Sequence, residues 1–248
     1  MGQTVIITGA SRGIGAATAL LAARHGYAIA VNYLRQQATA EALVAQIRAA
    51  GGEAQAIQAD IAQEADVLRL FQQAEQMLGP LRGLVNNAAR LETQMRLDQM
   101  GADRLQRVFA TNVIGSLLCA REAVKRLSTR HGGKGGAIVN VSSAAARLGS
   151  ANEYIDYAAS KGAINTLTLG LAREVAAEGI RVNAVRPGFI YTDMHADGGE
   201  PGRVDRLTPQ IPMQRGGQAT EVAEAILWLL SDAASYTTGS FIEVSGGR

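Results

Sequence analysis

Thr4-Val-Ile-Ile-Thr8-Gly-Ala-Ser-Arg-Gly13-Ile-Gly15 decides the fold. Residues 3–8 form a short β-branched run without charge, as in a strand buried on both faces of a parallel sheet. Gly9, Gly13 and Gly15 then separate that strand from an Ala/Leu-rich helical run reaching about Arg24. Strand, glycine turn and helix in this order make the context a dinucleotide site requires. Glycine lets the backbone approach a pyrophosphate, and the helix N-terminus supplies unpaired N–H groups and a positive dipole end. The spacing is Gly-x-x-x-Gly-x-Gly rather than the more general Gly-x-Gly-x-x-Gly.

Outward from this turn the chain alternates. Strand-like runs at 27–33, 54–59, 84–89, 137–143, 181–186 and 240–244 are separated by helical runs at 38–50, 64–78, 103–130, 157–178 and 220–230. With the first strand this predicts an α/β fold: one doubly wound, Rossmann-type domain over 1–248, with a seven-stranded parallel sheet flanked by helices. Residues 189–216 break the alternation. Four of the five prolines fall between 187 and 212, beside Gly198, Gly199, Gly202 and Gly216, which predicts a long excursion with short helical pieces, a substrate lid.

Composition narrows the function classes. The chain is 47% apolar but only 4% aromatic, which suits layered α/β packing. Its 24 basic and 22 acidic residues form no stripe, so neither nucleic acid nor membrane is expected as a partner. Cys119 stands alone and His25, His131 and His195 are scattered, so no intramolecular disulfide can form and no metal site is expected. No apolar run approaches the ~18 residues of a membrane span, and no leader pattern opens the chain. A cytoplasmic setting is the expectation. Met1-Gly2 invites a myristoylation reading, but Ile6 stands where Ser or Thr is needed.

Chemistry concentrates in Tyr157-Ala-Ala-Ser-Lys161, where one helical turn places a phenol and an ammonium on one face. A nearby cation favours the phenolate, which would make Tyr157 an acid and base near neutral pH. Asn112 interrupts a helical run that its side chain disfavours, so something local should need it. The strand at 137–143 ends in two hydroxyls, Ser142 and Ser143. Beyond the second strand, Asn32-Tyr33-Leu34-Arg35 lacks the acidic residue that commonly holds the ribose hydroxyls of NAD. Arg12 and Arg35 instead offer positive charge for a 2′-phosphate, which favours NADP(H), with NAD(H) possible. Asp60 is placed to cap the next helix or touch adenine, His195 to lie at the surface, and Trp228 in the core or a subunit interface.

The ordered set Thr8-Gly-Ala-Ser-Arg-Gly-Ile-Gly15, Asn86-Asn-Ala88, Asn112, Ser143, Tyr157 with Lys161, and Pro187-Gly188 resembles the short-chain dehydrogenase/reductase family over essentially the whole chain. The subfamily it looks most like includes β-ketoacyl carrier-protein reductases and glucose 1-dehydrogenases. The resemblance implies hydride transfer between NADP(H) and a small carbonyl or secondary alcohol. Tyr157 would be the general acid and base, and Lys161 would lower its pKa and hold the nicotinamide ribose. Ser143 would bind the substrate oxygen, and Asn112 would support a water-linked proton path. Gly9, Ser11, Arg12, Gly13, Ile14 and Gly15 would cradle the pyrophosphate and adenosine ribose, with Asn32, Tyr33 and Arg35 beside them. Asp60 and Ile61 would flank adenine, Asn87 and Ala88 would line the ribose region, and Pro187, Gly188, Ile190 and Thr192 would position the nicotinamide. A homotetramer or homodimer follows from the same resemblance. A sugar 1-dehydrogenase using NAD(P) is one alternative; a non-catalytic NADP(H) sensor or scaffold is another.

Two departures stand out. The asparagine motif ends in Ala89 where glycine is usual, and the serine-to-tyrosine interval is one residue longer than usual, which would set Ala144 in the serine's place. Because the strand ends at Ser143, the extra residue is assigned to the turn 149–154, beside the substrate pocket.

Overall fold

The computed structural model describes residues 3–248; the rejected myristoylation signal at Met1-Gly2 lies outside them. The elements in chain order are β1 (Gln3–Ile7), α1 (Gly13–Arg24), β2 (Tyr27–Tyr33), α2 (Gln37–Ala49), β3 (Ala54–Gln58), α3 (Glu64–Leu78), β4 (Leu81–Asn86), α4 (Ala102–Phe109), α5 (Ser116–Leu127) and β5 (Gly136–Val141). There follow α6 (Ala145–Leu148), α7 (Ile155–Val175), β6 (Ile180–Pro187), β7 (Ile190–Tyr191), α8 (Met194–Asp197), α9 (Arg203–Leu207), β8 (Gly217–Gln218), α10 (Ala219–Leu230) and β9 (Phe241–Val244).

Seven strands pair in parallel in the order β3-β2-β1-β4-β5-β6-β9. Side chains of a strand alternate between faces, so β1 sends Val5 and Ile7 to one core and Ile6 to the other. The first core gathers Ala19, Leu43 and Ile226 from α1, α2 and α10. The second gathers Leu70 and Phe71 of α3, Cys119 of α5 and Ala172 of α7. Each fully buried Ile, Leu or Phe contributes about 1.5–3 kcal/mol, so the sheet is held from both sides. Strand order reverses between β1 and β4, and at that point the turns leaving their carboxyl ends diverge to open a crevice.

The predicted helix at 103–130 is not continuous. It runs as α4, a π-helical segment at Ala110–Gly115 and α5, with Asn112 inside the π segment. Residues 189–216 form the predicted excursion, carrying α8 and α9. Its ends are tied by β7 and β8, which pair Ile190 with Gly217 and Tyr191 with Gln218.

Candidate active site

The glycine turn leaves β1 with Gly9 at φ 61°, and a Cβ there would lie 2.9 Å from Ala88 Cα. Gly15 serves packing instead: its Cβ would meet Asn87 Nδ2 at 2.6 Å and Gly9 O at 2.8 Å. Side chains hold this turn in place. Gly9 N donates to Asn32 Oδ1 at 3.1 Å, and Asn32 Nδ2 donates to Ala59 O at 3.1 Å. Thr8 Oγ1 accepts from both Asn87 N and Ala88 N at 3.0 Å, while Asn87 Nδ2 returns to Thr8 O at 2.8 Å. The turns after β1 and β4 are thereby one rigid wall.

A long cleft runs over this wall. Gly9, Ser11, Arg12, Gly13, Ile14, Asn32, Tyr33, Arg35, Asp60, Ile61, Asn87, Ala88 and Thr192 all line it. Gly15 does not, being buried behind the turn. Backbone bared by glycine at a helix N-terminus suits a dinucleotide's phosphates, so the residues present fit such a cofactor. Arg12 is engaged elsewhere: it pairs with Asp197, and its Nη1 lies 3.8 Å from Asp193 Oδ2, both in the 189–216 excursion. Arg35 is exposed and makes no ion pair among the described residues. Asp60 Oδ1 accepts from Ala62 N at 3.0 Å, a turn contact; it does not cap α3, whose N-cap position is Gln63. Leu34, Gln36, Arg90 and Thr111 also line the cleft, and no motif in the sequence marks them.

A second pocket adjoins the first, sharing Ile14, Asn87, Ala89, Leu91, Thr192 and Met194. Ser143, Tyr157, Lys161, Pro187, Gly188 and Ile190 line it. Tyr157 and Lys161 sit on the first turns of α7, with Lys161 Nζ 5.6 Å from the Tyr157 ring centre. Lys161 is buried and donates to Val141 O at 2.6 Å. Burial pushes the Lys161 ammonium down to about 8. The Tyr157 phenol is pushed up to about 12 by burial, opposed by a hydrogen bond with the Ser143 side chain. The downward pull of Lys161 on Tyr157 expected from the sequence is not seen: burial dominates the phenol, and the one influence opposing it is the Ser143 hydroxyl.

Ser143 faces Tyr157, and Ser142 is spent on α7, donating to Asn165 Oδ1 at 2.8 Å and Lys161 O at 3.2 Å. Ala144 is buried. Asn112 lies outside both pockets. Its Oδ1 accepts from Arg90 N at 2.7 Å, and its Nδ2 donates to Arg90 O at 3.1 Å and Ser160 Oγ at 3.0 Å. Ser160 Oγ donates in turn to Tyr157 O at 2.7 Å. The poor helix former thus bridges the π segment, the strand-4 turn and the turn of α7 that carries Tyr157. His195, expected at the surface, lines the second pocket half-buried. Its Nε2 contacts Ile190 O at 3.1 Å, and burial holds it below its ordinary pKa.

Comparison with known proteins agrees with this architecture. Residues 9–248 match the family model described as enoyl-(acyl carrier protein) reductase. The chain is 61% identical over 243 residues to the uncharacterized oxidoreductase YgfF of Escherichia coli K12, covering 98% of each protein. It is 38% identical over 247 residues to the 3-oxoacyl-[acyl-carrier-protein] reductase FabG of Staphylococcus aureus N315, covering 100% of this chain and 98% of that one. A doubly substituted short-chain dehydrogenase/reductase of Serratia marcescens superposes with a TM-score of 0.91 at 34% identity, over 100% of this chain and 98% of that one. No helix of the described residues is long and apolar enough to cross a membrane. The chain belongs to the short-chain dehydrogenase/reductase family and is an oxidoreductase of that family.

Proposed function

We propose that the protein reduces ketones or aldehydes with NADPH, and oxidises the corresponding alcohols in reverse. The observation that carries this reading is the convergence of Tyr157, Ser143 and Lys161 in a pocket contiguous with the glycine-turn cleft. When bound, the dinucleotide supplies the hydride. Gly9, Ser11, Gly13 and Ile14 would hold its phosphates, and Arg35 its 2′-phosphate, with Arg12 joining it only on release from Asp197.

The chain's own task is to orient the carbonyl and deliver a proton. With its pKa near 12, the Tyr157 phenol is protonated throughout the neutral range and ready to donate. Ser143 shares the carbonyl oxygen and aligns it with that proton. As the proton leaves, a phenolate forms, and the Lys161 ammonium close by stabilises it. Asn112 and Ser160 fix the backbone of Tyr157, and in this reading Asn112 would also support a water-linked path toward Lys161.

Tyr157→Phe should abolish carbonyl-dependent NADPH oxidation while NADPH binding persists. Wild-type turnover in that variant would remove the mechanism. A homotetramer or homodimer is proposed as the working assembly, supported by the exposed Ile114, Leu117 and Leu169 on helical surface; a monomer by light scattering would count against it. The cytoplasm is the proposed setting, in keeping with Cys119 standing as a free thiol.

A further inference from the structure

The second pocket contains several cationic side chains in sequence but very little free charge in space. Arg203 of α9 lines it and is only 5% exposed. Its guanidinium is claimed on both sides by carboxylates: Nη1 donates to Glu153 at 2.8 Å and to Glu200 at 3.2 Å, and Nη2 pairs with Glu153 again. The same guanidinium lies 5.0 Å from the Tyr154 ring centre and 5.5 Å from that of Phe189. Lys161 is turned onto Val141 O, and burial holds His195 below its ordinary pKa. Arg248, half-buried at the rim, donates to Gln210 and has no carboxylate partner among the described residues; water reaches and screens it.

The carboxylates on Arg203 come from two loops. Glu153 belongs to the 149–154 turn, whose Ser150 and Asn152 adopt φ of 48° and 64°, and Glu200 belongs to the lid. Further contacts tighten the joint: Tyr154 Oη donates to Gly198 O at 3.0 Å, Gln94 Nε2 donates to Glu200 Oε2 at 2.6 Å, and Arg206 pairs with Glu200. Three loops are gathered around one neutralised cation, and the surface they turn to the pocket is Leu91, Leu148, Tyr154, Phe189 and Met194.

We propose that this pocket takes an uncharged carbonyl compound with an apolar or aromatic body, and that the Glu153–Arg203–Glu200 clamp sets that preference by cancelling the one buried guanidinium facing the substrate. The proposal rests on the reading of Tyr157 as the proton donor in this pocket. A carboxylate in the substrate body would enter a desolvated, apolar space where Arg203 is already paired, Lys161 is committed to Val141 O beside Tyr157, and Arg248 stands at the solvent-screened rim. Releasing Arg203 from its carboxylates would supply a free cation.

The test pairs neutral with carboxylated ketones of similar shape: 1-phenylpropane-1,2-dione against phenylglyoxylate, and acetophenone against 4-acetylbenzoate, each with NADPH. Wild-type kcat/KM should be at least about tenfold higher for the neutral member of each pair. In Glu153→Gln/Glu200→Gln that ratio should fall about tenfold or more through a gain for the carboxylated member. NADPH binding, followed by fluorescence titration, should be unchanged, which shows that the variant is folded. Equal or better wild-type turnover of the carboxylated ketones, or turnover of neither, overturns the proposal. So does a double variant that binds NADPH but keeps the wild-type ratio. Tyr157→Phe run on the same panel separates the two levels: activity surviving there defeats the site reading, whereas activity lost there with a preference for carboxylates defeats only the substrate class.

Discussion

Arg104 and Asp156 form a buried two-point ion pair directly before Tyr157 in the chain: Nε donates to Oδ2 at 2.7 Å and Nη2 to Oδ1 at 3.3 Å. The side chains are 7% and 1% exposed. Asp156 Oδ1 also accepts from Tyr157 N at 2.9 Å, satisfying one of the N–H groups that the start of α7 leaves without a helical partner. Arg104 further donates to Thr93 O, in the loop that leaves the cofactor wall.

Removing one partner strands the other charge in a space that water does not reach. Arg104→Met should cost about 3–5 kcal/mol in urea unfolding. Arg104→Met/Asp156→Asn should recover much of that, because it keeps an acceptor for Tyr157 N without a buried charge. A loss below about 1 kcal/mol in the single variant would rank the pair with exposed ones.

The pH dependence of carbonyl reduction should follow Lys161 before Tyr157. The phenol, pushed up to about 12, stays protonated and competent across the neutral range. The ammonium, pushed down to about 8, is charged below that value and neutral above it, and in the proposed mechanism its charge would stabilise the phenolate left by proton donation. kcat/KM for reduction should therefore fall as pH rises through about 8. Lys161→Met should be slow at every pH and lack this limb; an unchanged limb would assign it to another group.

Cofactor choice should depend on Arg35 more than the glycine turn suggests. Arg12 is bridged to Asp193 and Asp197, whereas Arg35 has no ion-pair partner among the described residues. A charge-assisted hydrogen bond contributes about 1.5–3 kcal/mol, so Arg35→Ala should reduce the NADPH-to-NADH ratio of kcat/KM by about tenfold or more. Asp197→Asn frees Arg12 and should raise the ratio. No change in either variant would locate the 2′-phosphate elsewhere.

Gly9→Ala tests the cradle itself. At φ 61° an alanine is strained by about 1–2 kcal/mol, and its Cβ would sit 2.9 Å from Ala88 Cα. NADPH affinity by fluorescence titration should drop while circular dichroism keeps its α/β signature. Wild-type affinity would show that the turn and the Ala88 wall can part freely.

Much of this molecule is local and therefore legible in the chain. Thr4 to Ile7 read as a buried parallel strand because only a strand covered on both faces can be continuously apolar, and the glycines after it read as a phosphate turn because a side chain there would collide. The seven-strand sheet followed from the alternation, and Asn112 announced itself as an unfavourable helix residue with a purpose. Contacts between distant segments were not legible. Sequence marks Arg12 as positive charge at the glycine turn and shows Arg203 only as one more arginine of the 189–216 stretch, but whether either cation is free depends on carboxylates 185 and 50 residues away, Asp197 and Glu153. Burial is equally a property of the folded whole: it raises Tyr157, lowers Lys161 and brings His195 in from the surface. The chain alone determined the sheet, the glycine turn and the tyrosine–lysine turn, because neighbours in sequence make them. Only the tertiary structure decided the charge state and polarity of the space above Tyr157, because Coulomb partners and the exclusion of water are set by packing across the molecule.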